Sequence, residues 1–256
     1  MKYNALTFIE NAKLVSSDTP QNWSIELMPS ALDLDKLPDA VVTGNTLVDF
    51  SDSSIERRGP FSLALTFATL SANGEVGLDA SEDEWFACYK SKLMQMGLDV
   101  SPSSFTRSTF RKKGLAVHKA IIPFLTIALG GIGVGPVILA LLENLKTEDE
   151  NQPWIRLFDQ QSKRLETKEI YLGAVSTDAQ NTYMRHVAAR LAVDDRKTSI
   201  LFFKINNTAA DFESATTYIT GNNQLLSVLD KPLRERLGNM ALNTILAAKL
   251  ASEGLD

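Results

Sequence analysis

Residues 120–145 read AIIPFLTIALGGIGVGPVILALLENL, and this stretch carries no charged side chain before Glu143. It is long enough to cross a bilayer, which takes about 20 apolar residues in an unbroken helix. Four glycines and Pro136 interrupt its centre, where each glycine costs about 1 kcal/mol relative to alanine and proline removes a backbone donor. The stretch therefore predicts two helices, near 115–129 and 136–146, joined at the glycines.

Each of the two predicted helices is too short to span a bilayer, and the broken backbone between them would need protein partners in lipid. In the resting state we expect the helical pair to pack on a sheet. We expect both faces of the pair to be covered, because it is apolar on nearly all sides. A pair hinged at glycines and held by side-chain packing can also swing out into lipid. The hinge candidates are Gly130, Gly131, Gly133 and Gly135. The candidates for lipid contact are Ile121, Phe124, Leu125, Ile127, Leu129, Ile132, Val134, Val137, Ile138, Leu141 and Leu142.

The densest group of basic side chains precedes the apolar stretch. It consists of Arg107, Arg111, Lys112 and Lys113. On a membrane these side chains would meet anionic headgroups, at about 1 kcal/mol of attraction each. They are therefore the candidates for headgroup binding.

The composition is that of an ordinary soluble globular protein. Of 256 residues, 44% are hydrophobic and 22% charged, and the mean hydropathy is −0.06. The net charge of −5 argues against nucleic acid as a partner, because nucleic-acid binding usually leaves a basic footprint. The one cysteine, Cys88, excludes an intramolecular disulfide and a thiolate-rich metal site.

The beginning of the chain, MKYNALTFIE, lacks the apolar run of a signal peptide. We therefore expect synthesis in the cytoplasm, with release or secretion by a non-classical route left open as the way to a target membrane.

Motifs of hydrolytic or redox chemistry are missing from the sequence. There is no HExxH, no G-x-S-x-G and no P-loop or dinucleotide fingerprint around the glycines. His118 and His186 are the two histidines; His186 lies in a strand pattern and His118 is next to Lys119. We therefore expect no enzyme, no catalytic residue, no metal site and no cofactor.

The first half of the chain reads as a polar, turn-rich start followed by helices and short strands. The segment 39–50 has β-branched runs that suit one or two strands. Helices are predicted at 60–73 and at 81–96, the second opening with a capping box at Ser81. A Ser/Thr-rich, partly alternating segment at 98–114 predicts another strand.

The second half is dominated by predicted strands. They lie at 153–165, 167–178, 181–194, 198–207 and 213–221. A closing helix, kinked at Gly238, is predicted within 230–256. Helices first, antiparallel strands next and a helix last are the order of an α+β fold. We therefore predict a single domain over 1–256, with a polar N-terminal segment at 1–38.

This order of elements resembles the cytolytic Cyt δ-endotoxins of insecticidal bacteria. The apolar helices before long strands match at 124–145, a strand start matches at Trp154–Ile155, and the stretch SILFFKIN at 199–206 is similar to their VLFFTI-type strand. Volvatoxin-like cytolysins of fungi and Evf-like bacterial virulence factors belong to a similar group. The likeness covers roughly 40–230 of this chain and includes no catalytic motif.

The resemblance implies an α-β-α sandwich, in which an antiparallel sheet is flanked by helical hairpins. It also implies membrane disruption by a protein whose helical layers open from the sheet and which then self-associates on the membrane. The Evf-like virulence factor in this group carries a buried fatty acid on a cysteine late in its chain, whereas Cys88 lies in the first half, so that site does not carry over. Cys88 is interpreted as a buried small hydrophobe, with acylation as the alternative.

Two functional hypotheses follow from the sequence. The preferred one is a soluble, membrane-active protein, a pore former or bilayer disruptor, in which the glycine-hinged helices or alternatively the strands at 169–205 enter the lipid. The other is a non-lytic protein that binds a fatty acyl chain or another apolar ligand between helices and sheet.

Overall fold

The computed structural model of the chain describes residues 4–15, 32–77, 80–103, 105–110, 117–130, 135–144, 152–164, 167–192 and 210–248. Within these ranges the helices are α1 (Ala5–Asn11), α2 (Ile55–Val76), α3 (Glu82–Gln95), α4 (Val117–Leu129), α5 (Pro136–Asn144), α6 (Pro153–Ser162), α7 (Asn223–Leu237) and α8 (Asn239–Thr244). The strands are β1 (Ala40–Thr43), β2 (Thr46–Asp52), β3 (Asp99–Val100), β4 (Thr106–Phe110), β5 (Lys163–Arg164), β6 (Thr167–Thr177), β7 (Asn181–Ala192), β8 (Ala210–Asn222) and β9 (Ile245–Ala247).

The described strands form one sheet in the order β3-β8-β7-β6-β2-β1-β9, with β4 also on β8 and β5 on β6. The long strands β6, β7 and β8 are antiparallel neighbours. One pair, β2 and β6, is parallel, so the expectation of a wholly antiparallel sheet is corrected to a mixed sheet. Parallel neighbours need a long crossover, and five helices lie between β2 and β6 along the chain.

Each face of the sheet is covered by its own layer of helices. On β6, Tyr171 and Val175 lie in a first core, which α1, α2, α3 and α7 complete, whereas Ile170 and Leu172 lie in a second core beneath α4, α5 and α6. This division follows from the strand period of two. The expected α+β class and α-β-α sandwich are confirmed, with α2–α3 and α4–α5 as the packed helical pairs.

The centre of the first core is α2, which is buried from Arg58 to Gly74. A helix covered on all sides is a core helix rather than a surface helix. Its one buried cation is held by Asp39, at 2.8 Å from the Arg58 guanidinium, and by the Leu37 carbonyl, at 2.8 Å. This layer is therefore fixed by polar contacts as well as by packing.

The strand predicted at 153–165 is wrong for most of its length, because α6 occupies Pro153–Ser162. Trp154, Ile155 and Phe158 are all buried in the second core, and their spacing fits one face of a helix rather than alternation along a strand. The proline is well suited to the first helical position. The strand start that the resemblance places at Trp154 is therefore the start of a helix.

The closing helix predicted within 230–256 is also wrong in extent. The helix begins earlier, at Asn223, where the Asn222 side chain accepts hydrogen bonds from two backbone amides. It ends before Gly238, whose φ of 49° stops α7, and the chain passes through α8 into β9. That last strand pairs with β1, so the predicted kink is a complete break and the chain rejoins the sheet.

The remaining predictions have clear outcomes. Helices at 60–73, 81–96, 115–129 and 136–146 are confirmed by α2 to α5, and strands at 39–50, 167–178, 181–194 and 213–221 by β1, β2, β6, β7 and β8. The capping box at Ser81 is present. The strand predicted at 98–114 is divided into β3 and β4, and the N-terminal segment contains α1. The strand at 198–207 lies outside the described residues.

Candidate functional site

The apolar helices α4 and α5 form a pair on one face of the sheet. Their buried side chains belong to the second core and come from both helices: Leu125 and Leu129 from α4, and Ile138, Leu141 and Leu142 from α5. The α4 helix packs on β7, and α5 packs on β2. Five of the lipid candidates therefore face the sheet in this closed arrangement.

The opposite face of this pair is open. Ile127 is 76% exposed, Pro123 and Ala140 are exposed, and Val137 is half-buried. The expectation that the pair is covered on both sides is therefore wrong. The reason is the position of α6, which packs on β1, β6 and β9 and thus extends the same layer rather than covering it.

The other lipid candidates are only partly placed. Ile121 and Phe124 lie within α4, whereas Ile132 and Val134 lie outside the described residues. The structure leaves the side-chain surroundings of these four candidates undescribed. It describes the burial of the other seven, which are Leu125, Ile127, Leu129, Val137, Ile138, Leu141 and Leu142.

Both described ends of the hinge adopt backbone conformations that suit glycine. Gly130 has φ 119° and Gly135 has φ 67°, values that side-chain-bearing residues rarely adopt. A Cβ on Gly135 would also lie 3.2 Å from Leu129 Cδ1 and 3.6 Å from Ala174 Cβ. Gly131 and Gly133 lie outside the described residues. The chain therefore turns sharply at both sides of the predicted hinge.

A buried carboxylate on β2 fastens α5 to the sheet. Asp49 Oδ2 accepts hydrogen bonds from the backbone amides of Val137 at 2.7 Å and of Ile138 at 3.2 Å. Its Oδ1 accepts from the Ser51 amide at 2.9 Å and from the Ser51 hydroxyl at 2.6 Å. Asp49 is buried, and the positive end of the α5 dipole favours its charge. We call this arrangement the Asp49 latch.

Sequence reasoning missed this latch. A helix leaves its first amides without partners inside the helix, and Asn, Asp, Ser or Thr usually caps them from the preceding position. Here Gly135 precedes Pro136 and has no side chain that can cap. The absence of a local cap was a usable signal that a carboxylate from elsewhere in the chain serves α5.

Of the four candidates for headgroup binding, Arg107 lies within the described residues. Arg107 lies in β4, where its backbone pairs with that of Glu213. Arg111, Lys112 and Lys113 lie outside the described residues. Their role in headgroup binding stays a prediction.

Cys88 lies on the buried face of α3 in the first core. Burial raises the pKa of its thiol, and the nearby Glu75 carboxylate raises it further. Both effects keep the thiol protonated and therefore poorly nucleophilic. Acylation of Cys88 stays a prediction, and the thiol lies on the opposite side of the sheet from α4 and α5.

The first core also encloses His186. Its ring stacks between aromatic neighbours, with centroids 5.9 Å from Phe86, 5.9 Å from Tyr89 and 5.6 Å from Tyr171. Within the described residues neither ring nitrogen has a hydrogen-bond partner. Burial lowers the pKa of His186 to about 3, with a smaller contribution from Lys90. His186 is therefore a fully buried, neutral member of the first core.

A buried ion pair lies beside these rings. Arg190 Nε donates to Glu169 Oε1 at 2.6 Å, Arg190 also donates to Asp83 at 2.8 Å, and the Tyr171 hydroxyl donates to Glu169. Burial raises the pKa of Glu169, whereas the hydrogen bonds from Tyr171 and Arg190 act in the opposite direction. A carboxylate with these donors fits a structural role that joins β6 to β7 and α3.

The described residues contain no group of three or more His, Cys, Asp or Glu side chains placed to hold a metal ion. Among the helices of this part of the chain, none combines the length and apolarity needed to cross a membrane.

Comparison with known proteins gives matches among solved structures. A delta-endotoxin is 11% identical to this chain, with a TM-score of 0.39. The match covers 84% of this chain and 97% of the delta-endotoxin chain. The Evf virulence factor is 10% identical, covers 97% of this chain and 90% of its own, and has a TM-score of 0.37. Activated Cyt2Ba from Bacillus thuringiensis subsp. israelensis is 14% identical, covers 51% of this chain and 77% of its own, and has a TM-score of 0.28.

These matches agree with the recognition of a Cyt-like fold group from the order of elements. No family model matches the chain, and no curated protein matches it in sequence. The TM-scores of all three matches lie below 0.5.

The Asp49 latch predicts the local stability of α5. Asparagine at position 49 has a single carbonyl oxygen, so it can serve Ser51 or the α5 amides but not both. Hydrogen bonds to a charged group contribute about 1.5–3 kcal/mol, so amide exchange across α5 is expected to rise roughly tenfold or more in Asp49→Asn. Hydrogen–deuterium exchange measures this effect.

The matched control for this prediction is Asp52→Asn, at the end of the same strand. The Asp52 side chain is exposed and has no hydrogen bond to the described residues. Equal protection of α5 in the two variants would contradict the role of the latch.

The burial of His186 predicts a pH dependence of stability. Since its pKa is lowered from 6.5 to about 3 in the folded protein, the unfolded chain binds a proton that the folded protein excludes between these values. The free energy of unfolding is therefore not reduced by His186 above pH 6.5. It decreases as the pH falls from 6.5 towards about 3, because protonation of His186 favours the unfolded chain.

Replacing the imidazole tests this assignment. His186→Leu, a substitution of similar volume, is expected to flatten the loss of stability across the same pH range. Urea denaturation measures the free energy of unfolding of the wild-type protein and of the variant at each pH. The other titrating groups are the same in both proteins, so their contributions cancel in the difference. Parallel pH profiles would show that His186 does not carry this dependence.

Proposed function

We propose that this protein disrupts lipid bilayers by opening the α4–α5 pair from the sheet. The observation that carries the proposal is a one-sided attachment: the pair is apolar, turns at glycines, exposes Ile127 and is fastened at the start of α5 by one carboxylate, Asp49. Among the large hydrophobic side chains of the described residues, Ile127 is the most exposed.

The energetics of opening depend on the solvent. In water, opening would expose the five buried side chains of α4 and α5, at roughly 1.5–3 kcal/mol each, so the closed arrangement is strongly favoured. Against a bilayer these five side chains move from one apolar environment to another, so their share of the cost largely disappears, and the uncovered sheet residues Leu172 and Val187 favour the membrane surface for the same reason. The membrane itself is therefore the trigger that this geometry needs.

The latch has a natural exchange partner at a membrane surface. When α5 leaves the sheet, the amides of Val137 and Ile138 lose Asp49 and need another acceptor. Phosphate groups of lipids are suitable acceptors, because helix N-termini bind anions. The start of α5 would thus lie at the headgroup level, with its apolar side chains directed into the acyl region.

The lengths of the two helices limit how deeply they enter. At about 1.5 Å per residue, α4 with 13 residues and α5 with 9 are each shorter than a hydrocarbon core of about 30 Å. An interfacial wedge, which lies in the plane of the membrane, fits these lengths better than a spanning hairpin. Self-association on the membrane would multiply this disturbance and stays a prediction.

Dye release from liposomes tests opening directly when the hinge can be locked. The Cβ built on Gly135 lies 3.6 Å from Ala174 Cβ, within the range of about 3.5–4.5 Å found in disulfides. The variant Gly135→Cys/Ala174→Cys, made together with Cys88→Ala, is expected to be inactive when oxidised and to release dye when reduced.

The oxidised and reduced forms are the same polypeptide, so backbone strain at position 135 is common to both. Release that is equal in the two forms would exclude opening at this hinge and would direct attention to the strands as the inserting element. A reduced variant that is silent like the wild-type protein, with both folded, would exclude bilayer disruption.

A charge on the exposed face gives a second test without disturbing the core. Ile127→Glu is expected to lower dye release at least tenfold, because a carboxylate would have to enter the apolar region, while thermal stability is unchanged since Ile127 is 76% exposed. The matched control is Val228→Glu, on α7 in the opposite layer, where the side chain is 59% exposed. Equal losses in the two variants would contradict the assignment of α4 as the membrane-facing element.

A further inference from the structure

A cleft of about 360 Å³ lies beside the hinge of the α4–α5 pair. One wall is formed by the chain at Gly130, Gly135 and Pro136, and its floor is the sheet from β2 across to β8. This volume falls in the lower part of the range of small-molecule sites, about 300–1,000 Å³. It suits a compact polar group rather than a whole lipid.

The strand register arranges the floor of the cleft into two rows. In the first row Asp49 pairs with Ala174, Ala174 with Arg185, and Arg185 with Tyr218. Since residues in one row lie on the same face of the sheet, the small Ala174 forms a low point between a carboxylate and a cation.

The second row runs beside the first and repeats its arrangement. Asp52 pairs with Ser176, Ser176 with Tyr183, and Tyr183 with Thr220. All four residues line the cleft. The small Ser176 continues the low point, so the depression has an acidic side on β2 and an aromatic, cationic side on β7 and β8.

The cationic side is available to an anion. The Arg185 guanidinium carbon lies 5.0 Å from the centre of the Tyr218 ring, which holds the side chain over the sheet. Among the described residues, Arg185 makes no hydrogen bond and no ion pair. A guanidinium held in this way presents its donors to a phosphate, which it can bind through two parallel hydrogen bonds.

The acidic side is available to a cation. Asp49 is occupied by the latch, but Asp52 is exposed and has no partner among the described residues. In the same row as Asp52, on the other side of Ser176, the ring of Tyr183 is held by a hydrogen bond from its hydroxyl to Asp178 at 2.9 Å. A carboxylate and an aromatic ring together attract ammonium groups.

Among the described residues, Asp52 and Arg185 do not form an ion pair with each other. Asp52 lies on β2 and Arg185 on β7, with β6 between them, and strands are spaced by about 4.8 Å. Two spacings place their backbones roughly 10 Å apart. A ligand that carries both charges can therefore bridge sites that the protein leaves open.

We propose that this cleft binds the zwitterionic headgroup of a phospholipid, with its phosphate at Arg185 and its ammonium at Asp52 and Tyr183. The inference rests on the proposed function and names the lipid chemistry that brings the hinge to a membrane. A headgroup in the cleft would lie against Gly130 and Gly135 at the point where the helical pair must turn. Binding of the headgroup and opening of the hinge would then share one site.

Binding of soluble phosphocholine tests the site apart from any membrane. Titration followed by NMR is expected to show saturable binding, with the shifts confined to the cleft. Arg185→Gln is expected to weaken binding at least tenfold, whereas Arg156→Gln on α6, which is the same change away from the cleft, leaves it intact. No saturable binding, or equal effects of the two substitutions, would overturn the proposal.

Vesicles separate this proposal from the proposed function. Dye release that is greater from phosphatidylcholine than from phosphatidylglycerol vesicles, and that loses this preference in Arg185→Gln, supports a lipid as the source of the headgroup. Release that is equal from both lipids overturns headgroup selection while membrane disruption stands. Saturable phosphocholine binding with no release from any vesicle supports the cleft as a site for the free zwitterion and overturns the proposed function.

Discussion

The arrangement of the second helical layer depends on one buried carboxylate. Asp49 lies at the junction of β2 with α5 and serves two different backbone segments at once. Among the described residues, the side chains of α4 and α5 that face the sheet make apolar contacts, and apolar packing has no preferred direction. The Asp49 contact fixes the start of α5 on the sheet, and in the proposed function the glycines are the point at which the pair turns away from it.

The two layers of the sandwich differ in the way they are held. The first layer has α2 at its centre, buried along most of its length, together with the Arg58–Asp39 ion pair. The second layer carries short helices and an exposed Ile127. Opening free energies within a protein vary from place to place, and this contrast assigns the lower value to the second layer. In the proposed function, the sheet with α2 and α3 stays in place while the second layer moves.

Local sequence signals were sufficient for the elements that depend on local chemistry. The glycines of the apolar stretch and the capping box at Ser81 indicated helix ends correctly. The spacing of Trp154, Ile155 and Phe158 also carried the helical signal, but their high strand propensity concealed it. The exposure of Ile127 could not be predicted, because a uniformly apolar segment does not show which of its faces is covered.

The candidate site was harder to predict because distant segments build it. Asp49 and the α5 amides meet through tertiary contact, and the cleft exists through the register of β2, β6, β7 and β8. Arg185 and Tyr218 read as ordinary members of alternating strands until that register places them in one row. Pairwise contacts of this kind leave no periodic trace in a single sequence.

The parallel pairing of β2 with β6 has a consequence for how the protein folds. During synthesis β2, α4 and α5 all emerge before β6 and β7. The segments of the apolar helices are therefore synthesised before the strand on which α4 packs. Non-local pairings of this kind form slowly, because a long loop must close first. The nascent chain thus passes through a stage in which its most apolar segment is exposed to chaperones and to membranes alike, and the completed sheet is what ends that stage.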